Sequence, residues 1–394
     1  MLRFLTLTTA LSLATPALAG EEMKYRLLVA DAGEGALHAI DIEHESAVAP
    51  VTFELASAGR LYLGPDGRHV WVVQRDAGIV QLFDSGVVEE DHGDHAALVL
   101  EPAALLPATA SGERPVHFNM GGDRVAVFWD GVGKATLHDA SAAAAGDLTP
   151  LMTLDTGGAH HGVAVPVGET VISSIAPEGE GLPDALAVFG ADGTELSRVD
   201  CLNMHGEGKA AGFIAFGCED GVALFDTSAT PPEGRFVAYP EDAPEGMLRT
   251  LLSPRDMAAL VGNFGATGIA IFDPAAADGD FFFAALPAPR MAFALDDAGA
   301  EGYAILADGR LVQFSALTGK ILGEVAGVTG AYAMERGVTR PMMDVAGDRI
   351  AVSDPAAGQV VLLDREALEI TARIDAGAAP RAVLLMAVEA DHAH

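Results

Sequence analysis

Short runs of alternating apolar and polar residues fill this chain, and turns rich in Gly, Asp and Asn separate the runs. Because successive side chains of a strand point to opposite faces, a run, a turn and a second run predict an antiparallel hairpin. Eight such hairpins recur along the chain. Their last residues are Asp41, Asp84, Asp139, Gly190, Asp226, Asp273, Ser315 and Asp364.

The hairpins repeat about every 46 residues, a spacing typical of one blade of a β-propeller. No segment has a long helical period, so a helical-repeat solenoid is not expected. We predict an all-β fold in which residues 20–394 form a single β-propeller of four-stranded blades. Eight blades are favoured over seven because eight hairpins are present.

A further strand precedes seven of the hairpins, but none precedes the first hairpin, which starts at Leu28. The chain ends instead with an unpaired copy of this strand, Ala-Pro-Arg-Ala-Val-Leu-Leu, at residues 379–385. We predict that the C-terminal strand pairs with the N-terminal blade and closes the ring, since closure removes exposed strand edges.

The first 19 residues have the pattern of a secretory signal peptide. Arg3 is followed by an apolar run, and Pro16-Ala17-Leu18-Ala19 ends in the small-residue pattern of a cleavage site. We predict cleavage after Ala19 and a periplasmic location. No later apolar stretch is long enough to span a bilayer, so membrane insertion is not expected.

The composition is strongly acidic, with 23 Lys and Arg against 56 Asp and Glu and a formal net charge of −33. Such a chain repels nucleic acid, which excludes that class of partner. The two cysteines of an exported chain predict one disulfide, Cys201–Cys218. Because the intervening loop is short, we expect the disulfide to join neighbouring strands of one blade. We also expect a monomer.

Three histidines, His117, His161 and His205, are each 44 residues apart and lie near the start of the additional strands. Residues one blade apart lie side by side around the propeller axis, so these imidazoles should converge. Three imidazoles leave a fourth position open on a tetrahedral Zn²⁺ ion. The corresponding positions of the other blades carry arginine instead, namely Arg60, Arg249, Arg290, Arg340 and Arg381.

Further potential ligands surround this pattern. The motifs His-His-Gly at 160–162 and Met-His-Gly-Glu at 204–207 look alike, which makes His160 and Glu207 additional possibilities, although His160 should face the opposite way in an extended segment. A polar loop at about 87–98 contains His92, Asp94 and His95, which can capture zinc loosely while the loop moves. The His-containing tail at 390–394 is a weaker candidate for an additional, transient metal ligand.

Two alternatives remain open at this level. Equal spacing also arises by duplication of structural histidines, which would leave a metal-free interaction scaffold. A zinc ion with an open position can also activate water, as in a hydrolase or lactonase, with Glu207 as the base. Imidazole ligands suit copper and nickel as well as zinc.

The exported propeller, the His-Gly-Asp-His loop at 92–95 and the two His-Gly motifs together resemble the AztD-type periplasmic zinc metallochaperones. The resemblance covers essentially the whole mature chain. It implies a protein that is not an enzyme, binds Zn²⁺ and passes it to the solute-binding protein of a zinc ABC importer. It places the central ligands at His117, His161 and His205, and a mobile acquisition loop around His92, Asp94 and His95.

Overall fold

Eight antiparallel sheets are arranged as the blades of a closed propeller, which confirms the predicted fold. The computed structural model describes residues 23–43, 46–91, 96–210, 212–253, 258–296, 298–335 and 337–388. The predicted signal peptide, the residues His92, Asp94 and His95, and the tail at 390–394 lie outside the described residues. No helix within the described ranges is long and apolar enough to cross a membrane.

The strands of the first four blades follow one another along the chain. Blade 1 contains β1 (Lys24–Asp31), β2 (Ala36–Glu43), β3 (Ser46–Ala47) and β4 (Val51–Glu54). Blade 2 contains β5 (Arg60–Leu63), β6 (His69–Gln74), β7 (Ile79–Asp84) and, after an inserted hairpin of β8 (Val87–Asp91) and β9 (Ala96–Leu100), β10 (Ala104–Ser111). Blade 3 contains β11 (Pro115–Gly121), β12 (Arg124–Trp129), β13 (Lys134–Asp139), the short helix α1 (Ala140–Ala144) and β14 (Met152–Asp155). Blade 4 contains β15 (Ala164–Val167), β16 (Thr170–Ile175), β17 (Ala185–Phe189) and β18 (Glu195–Asp200).

The remaining four blades repeat the same order. Blade 5 contains β19 (Glu207–Ala210), β20 (Phe213–Gly217), β21 (Gly221–Asp226) and β22 (Glu233–Ala238). Blade 6 contains β23 (Leu248–Leu252), β24 (Leu260–Phe264), β25 (Gly268–Phe272) and β26 (Phe282–Ala285). Blade 7 contains β27 (Arg290–Leu295), β28 (Glu301–Leu306), β29 (Leu311–Ser315) and β30 (Ile321–Val325). Blade 8 contains β31 (Met343–Ala346), β32 (Arg349–Asp354), β33 (Gln359–Asp364) and β34 (Glu369–Asp375), and the chain ends with β35 (Pro380–Val388).

The last strand closes the ring as predicted. β35 pairs antiparallel with β1, from Lys24 opposite Val388 to Asp31 opposite Pro380, and becomes the innermost strand of blade 1. This pairing covers the edge of β1 that would otherwise remain open.

The core is a ring of interfaces between adjacent blades rather than one central cluster. In one interface Val165, Ile172 and Leu186 of blade 4 pack against Phe216 and Phe225 of blade 5. Both faces of a blade are therefore covered by neighbouring blades, and successive side chains of its strands pack into alternate interfaces.

The predicted disulfide is present between Cys201 and Cys218, with an S–S distance of 2.05 Å. The expectation that it joins strands of one blade is wrong. Cys201 follows β18, the outermost strand of blade 4, whereas Cys218 follows β20 of blade 5. The bond therefore joins two blades, because the chain crosses from blade 4 to blade 5 between Cys201 and Cys218.

The expectation of a polar loop at about 87–98 is also wrong for most of its length. Val87 to Asp91 pair with Leu100 to Ala96 as strands β8 and β9. Val87, Leu98 and Leu100 join an apolar cluster between blades 1 and 2, and this packing holds the base of the hairpin. The predicted histidine segment thus connects two anchored strands.

Candidate metal centre

The three equally spaced histidines lie where innermost strands of blades 3, 4 and 5 begin. His161 and His205 come just before β15 and β19, whereas His117 is the third residue of β11. A β-bulge explains the difference, because the three steps from Pro115 to Phe118 face only two steps on β12, from Trp129 to Val127. Bulges re-aim side chains, and this one brings His117 level with its neighbours.

Each of the two His-Gly motifs needs its glycine. A Cβ on Gly162 would lie 2.3 Å from the ring of Phe128. A Cβ on Gly206, whose φ is +80°, would lie 1.9 Å from the carbonyl oxygen of Arg249. The glycines therefore allow the backbone beside each histidine to pack closely against the adjoining strand.

The outer ring nitrogen of each histidine is held by a fixed acceptor. His161 Nδ1 lies 2.8 Å from Asp130 Oδ2, and His205 Nδ1 lies 3.1 Å from the carbonyl oxygen of Arg249. His117 Nδ1 lies 3.4 Å from Glu207 Oε1. Because a carbonyl oxygen only accepts, His205 Nδ1 carries the proton, and its Nε2 retains the lone pair needed for a metal. The carboxylates favour the same tautomer in the other two rings.

The inner nitrogens come together at a distance that suits zinc. His117 Nε2 and His161 Nε2 are 3.4 Å apart. Two nitrogens at about 2.0–2.1 Å from a tetrahedral zinc ion are separated by roughly 3.3–3.4 Å. His205 is set farther out, since its ring centroid is 5.5 Å from that of His161 and the nitrogens of the three rings do not all fall within 4.8 Å of one another.

Glu207 belongs to the same cluster. Its Oε1 also accepts a hydrogen bond of 2.9 Å from Asn119 Nδ2, while its buried Oε2 has no hydrogen-bond partner among the described residues. Burial raises the pKa of Glu207, but His117 and Asn119 outweigh this effect and the net pKa is lowered. Burial likewise lowers the pKa of His117, but the Glu207 carboxylate outweighs it and the net pKa is raised. The ionised carboxylate of Glu207 thus places a negative charge beside the imidazoles.

Comparison with known proteins identifies the family of the chain. No family model matches the chain. The zinc chaperone AztD from Citrobacter koseri is 30% identical over 372 residues, which cover 93% of this chain and 87% of that protein. The chain belongs to the AztD family of zinc chaperones. The crystal structure of Citrobacter koseri AztD superposes with a TM-score of 0.87 at 28% identity and covers 94% of this chain and 99% of that one.

The apo structure of the same AztD gives a TM-score of 0.86 at 28% identity, with the same coverage. The dihydro-heme d1 dehydrogenase NirN shares the fold alone, with a TM-score of 0.60 at 13% identity over 91% of this chain and 74% of that one. The Citrobacter koseri AztD relative is named as a zinc chaperone and not as an enzyme. This relationship favours the chaperone prediction over the hydrolase alternative.

His160 is not part of the cluster in this AztD-family chain. It is buried, its Nδ1 lies 2.8 Å from the carbonyl oxygen of Gly158, and its Nε2 lies 3.1 Å from Ser174 Oγ. Its ring packs edge-on against Phe128. The chain bends at His161 instead of running extended, and the His160 ring is directed to Ser174 of blade 4.

Sequence reasoning missed the groups that hold the histidines. Asp130 lies in the turn between β12 and β13, where an aspartate reads as an ordinary turn residue. Asn119 lies within β11 and carries no motif. The partner of His205 is a backbone carbonyl, for which no side-chain signal exists.

A second group on the same AztD-type scaffold was also missed. Ligand atoms of Asp31, Glu34 and His38 all lie within 4.8 Å of one another, which makes it the one such group of three among the residues with described positions. The Asp31 carboxylate accepts backbone N–H groups of Gly33, Glu34 and Ala379. Its first role is therefore to fasten the β1–β2 turn to the ring-closing strand.

Proposed function

We propose that this protein is a periplasmic zinc chaperone whose cargo Zn²⁺ binds His117, His161 and His205. We also propose that it delivers zinc to the solute-binding protein of a zinc ABC importer. The observation that carries the zinc site is the 3.4 Å separation of His117 Nε2 and His161 Nε2, with each Nδ1 turned outward to an acceptor.

The charges of the surrounding groups support a divalent cargo. The three imidazoles are neutral ligands, and the carboxylates of Asp130 and Glu207 behind them balance the charge of Zn²⁺. Zinc prefers such nitrogen ligands in a tetrahedral set, and the fourth position remains for water or for a ligand supplied during transfer. Glu207 Oε2 is a further possible ligand of this set.

Access to the site supports a transfer role. The His161 side chain retains 34% of its exposure, so a partner's ligand can approach the zinc from the mouth of the channel. The segment containing His92, Asp94 and His95 connects the strands of the β8–β9 hairpin, and we propose that it supplies transient ligands during exchange. Residues 1–19 would direct the chain to the periplasm, where the mature protein acts as a monomer.

The central site is tested by competition with a chromophoric chelator of known zinc affinity. We expect His117→Ala to lower zinc affinity on the order of 1,000-fold, about 4 kcal/mol, because one of three ligands is lost. His69→Gln serves as the control, since His69 starts β6 in blade 2 and contacts Asp66 instead of the cluster. Unchanged affinity in His117→Ala would contradict the assignment.

Delivery is tested separately by mixing the zinc-loaded protein with the zinc-free solute-binding protein of the same cell. Direct transfer predicts a rate that rises with acceptor concentration and exceeds the rate of zinc loss to an excess of chelator. Equal rates would mean that zinc dissociates first, and the delivery role would then be wrong while the zinc site stands.

A further inference from the structure

A cavity of about 300 Å³ opens at the mouth of the ring directly beside His161. Its polar lining consists of four arginines together with Asp130 and His161. The arginines are Arg60, Arg75, Arg114 and Arg381. Arg381 belongs to blade 1, Arg60 and Arg75 belong to blade 2, and Arg114 directly precedes β11 of blade 3, the strand that carries His117.

This concentration of positive charge is unusual for the chain, which has only 23 Lys and Arg and a net charge of −33. The one carboxylate in the cavity lining, Asp130, is engaged by His161. Arg75 pairs with its exposed neighbour Asp76 at 3.2 Å. Among the described residues no carboxylate forms an ion pair with Arg60, Arg114 or Arg381.

The guanidinium groups also influence one another. Burial lowers the pKa of Arg381 and the nearby charge of Arg60 lowers it further, whereas Asp76 raises it and opposes the smaller effect of Arg75. Arg60 in turn opposes protonation of His117. Arg381 is partly buried and the other three arginines are exposed, and a bound anion would relieve the repulsion between these like charges.

We propose that this cavity binds a small organic anion with two or more carboxylates, of which citrate is the test case, and that one carboxylate reaches the fourth coordination position of zinc at His161. Planar guanidinium groups bind carboxylates through paired hydrogen bonds, and several of them favour a polycarboxylate. The coordination part rests on the proposed function, whereas binding of the anion does not.

The shape of the cavity favours a small organic molecule. Its volume is at the lower end of the range for small-molecule sites, about 300–1,000 Å³. Val73, Pro115 and Val116 form part of the wall, and these apolar groups suit the carbon skeleton of a polycarboxylate better than a bare inorganic anion. An exogenous carboxylate that leaves with the ion would give zinc a fourth ligand without a further rigid protein group.

Binding is tested by isothermal titration of citrate into the mature protein after removal of zinc, at about 0.1 M NaCl to suppress weak surface binding. We expect saturable binding that weakens about tenfold or more in Arg60→Gln/Arg381→Gln and for sulfate in place of citrate. The control is Arg340→Gln. Arg340 precedes the first strand of blade 8, at the position that corresponds to Arg60 in blade 2, but it does not line the cavity. Its guanidinium group donates instead to the carbonyl oxygens of Met334 and Glu335. Binding of the control should match the wild type.

Three results would overturn the site: no saturable heat up to about 10 mM citrate, unchanged affinity in the double variant, or sulfate binding as tightly as citrate. Circular dichroism checks that the double variant is folded. If it is not, the single variant Arg114→Gln replaces it, with the same expectation of weaker binding.

The zinc-loaded protein tests the coordination part. Ligation by the anion predicts that citrate binds about tenfold more tightly to the zinc-loaded than to the zinc-free protein. Equal affinities would overturn coordination. A protein that takes up no zinc would overturn the proposed function, while citrate binding to the zinc-free protein would still decide whether the anion site exists.

Discussion

What distinguishes a proposed ligand histidine from a structural one in this protein is the partner of its second nitrogen. His161 is oriented by Asp130 and leaves Nε2 facing the neighbouring imidazole. His160, the preceding residue, uses both nitrogens in hydrogen bonds within the blade. Adjacent residues of the same type therefore differ in their roles in the proposed site, because their ring nitrogens meet different partners.

We expect Asp130→Ala to weaken zinc binding about 10–100-fold, because His161 loses the carboxylate that fixes its tautomer and orientation. Chelator competition measures the change. Asp308→Ala is the matched control, since Asp308 occupies an exposed hairpin turn of blade 7. Affinity equal to that of the wild type would show that Asp130 does not orient a zinc ligand.

The sequence predicted the positions of His117, His161 and His205 because repeat spacing translates directly into neighbouring places around the ring. It did not predict Asp130 or Asn119, since their importance depends on the direction of a side chain in a turn or strand. The partner of His205 is the backbone carbonyl of Arg249, and every residue has such a group, so the residue type does not predict this contact. Repeat spacing thus locates inward-facing residues but not the groups behind them.

At the scale of elements, the segment that carries His205 is fixed by backbone hydrogen bonds and by a nearby disulfide. The N–H of His205 donates to the carbonyl of Gly217 at 2.9 Å, and the N–H of Gly217 donates to the carbonyl of Gly206 at 3.2 Å. The Cys201–Cys218 disulfide adds a covalent link between the same two chain segments. The sequence predicted the bond but placed it within one blade, because spacing alone does not reveal where the chain crosses between blades.

We expect Cys201→Ser/Cys218→Ser to lose about 3 kcal/mol of unfolding free energy, the value for a loop of this length. Zinc affinity should also fall, because His205 loses its clamp. Thermal unfolding and chelator competition measure the two effects. Treatment with reductant should change the wild type in the same direction and leave the variant unaffected; sensitivity of the variant would point to another cause.

The segment carried by the β8–β9 hairpin is proposed to act in zinc transfer and not in zinc storage. We expect His92→Ala/His95→Ala to slow transfer to the solute-binding protein while leaving the affinity of the central site within about twofold, because the hairpin base is anchored by its own apolar contacts. Stopped-flow transfer and chelator competition measure these quantities. An unaltered transfer rate would contradict the proposed role of this segment.

For the whole molecule, ring closure makes the blades interdependent. Each apolar interface is shared by two blades, and β35 supplies the last of them by pairing with β1 and packing near β31. The eight-blade architecture was predictable because both the hairpins and the unpaired terminal strand are visible in the sequence. The inserted hairpin was not, since its polar centre concealed the strands on either side.

Removal of β35 by ending the chain at residue 379 should abolish cooperative unfolding, because β1 is left with an open edge and the first and last blades lose their shared core. Circular dichroism during heating tests this expectation. A chain that ends at residue 388 retains β35 and serves as the control, with an unchanged midpoint. Cooperative unfolding of the shorter chain would show that closure is dispensable.

The pairing of Lys24 with Val388 has a practical consequence for orientation. β35 runs from the face that bears the histidines to the opposite face, so the chain enters and leaves the propeller together on the side remote from the metal centre. A tether attached at either terminus, whether to a bead, a sensor surface or a lipid, would hold the molecule with its cargo site facing the solution. Immobilisation through the ends therefore leaves the proposed zinc site accessible. An acceptor would approach that site through the mouth of the ring that bears the histidines.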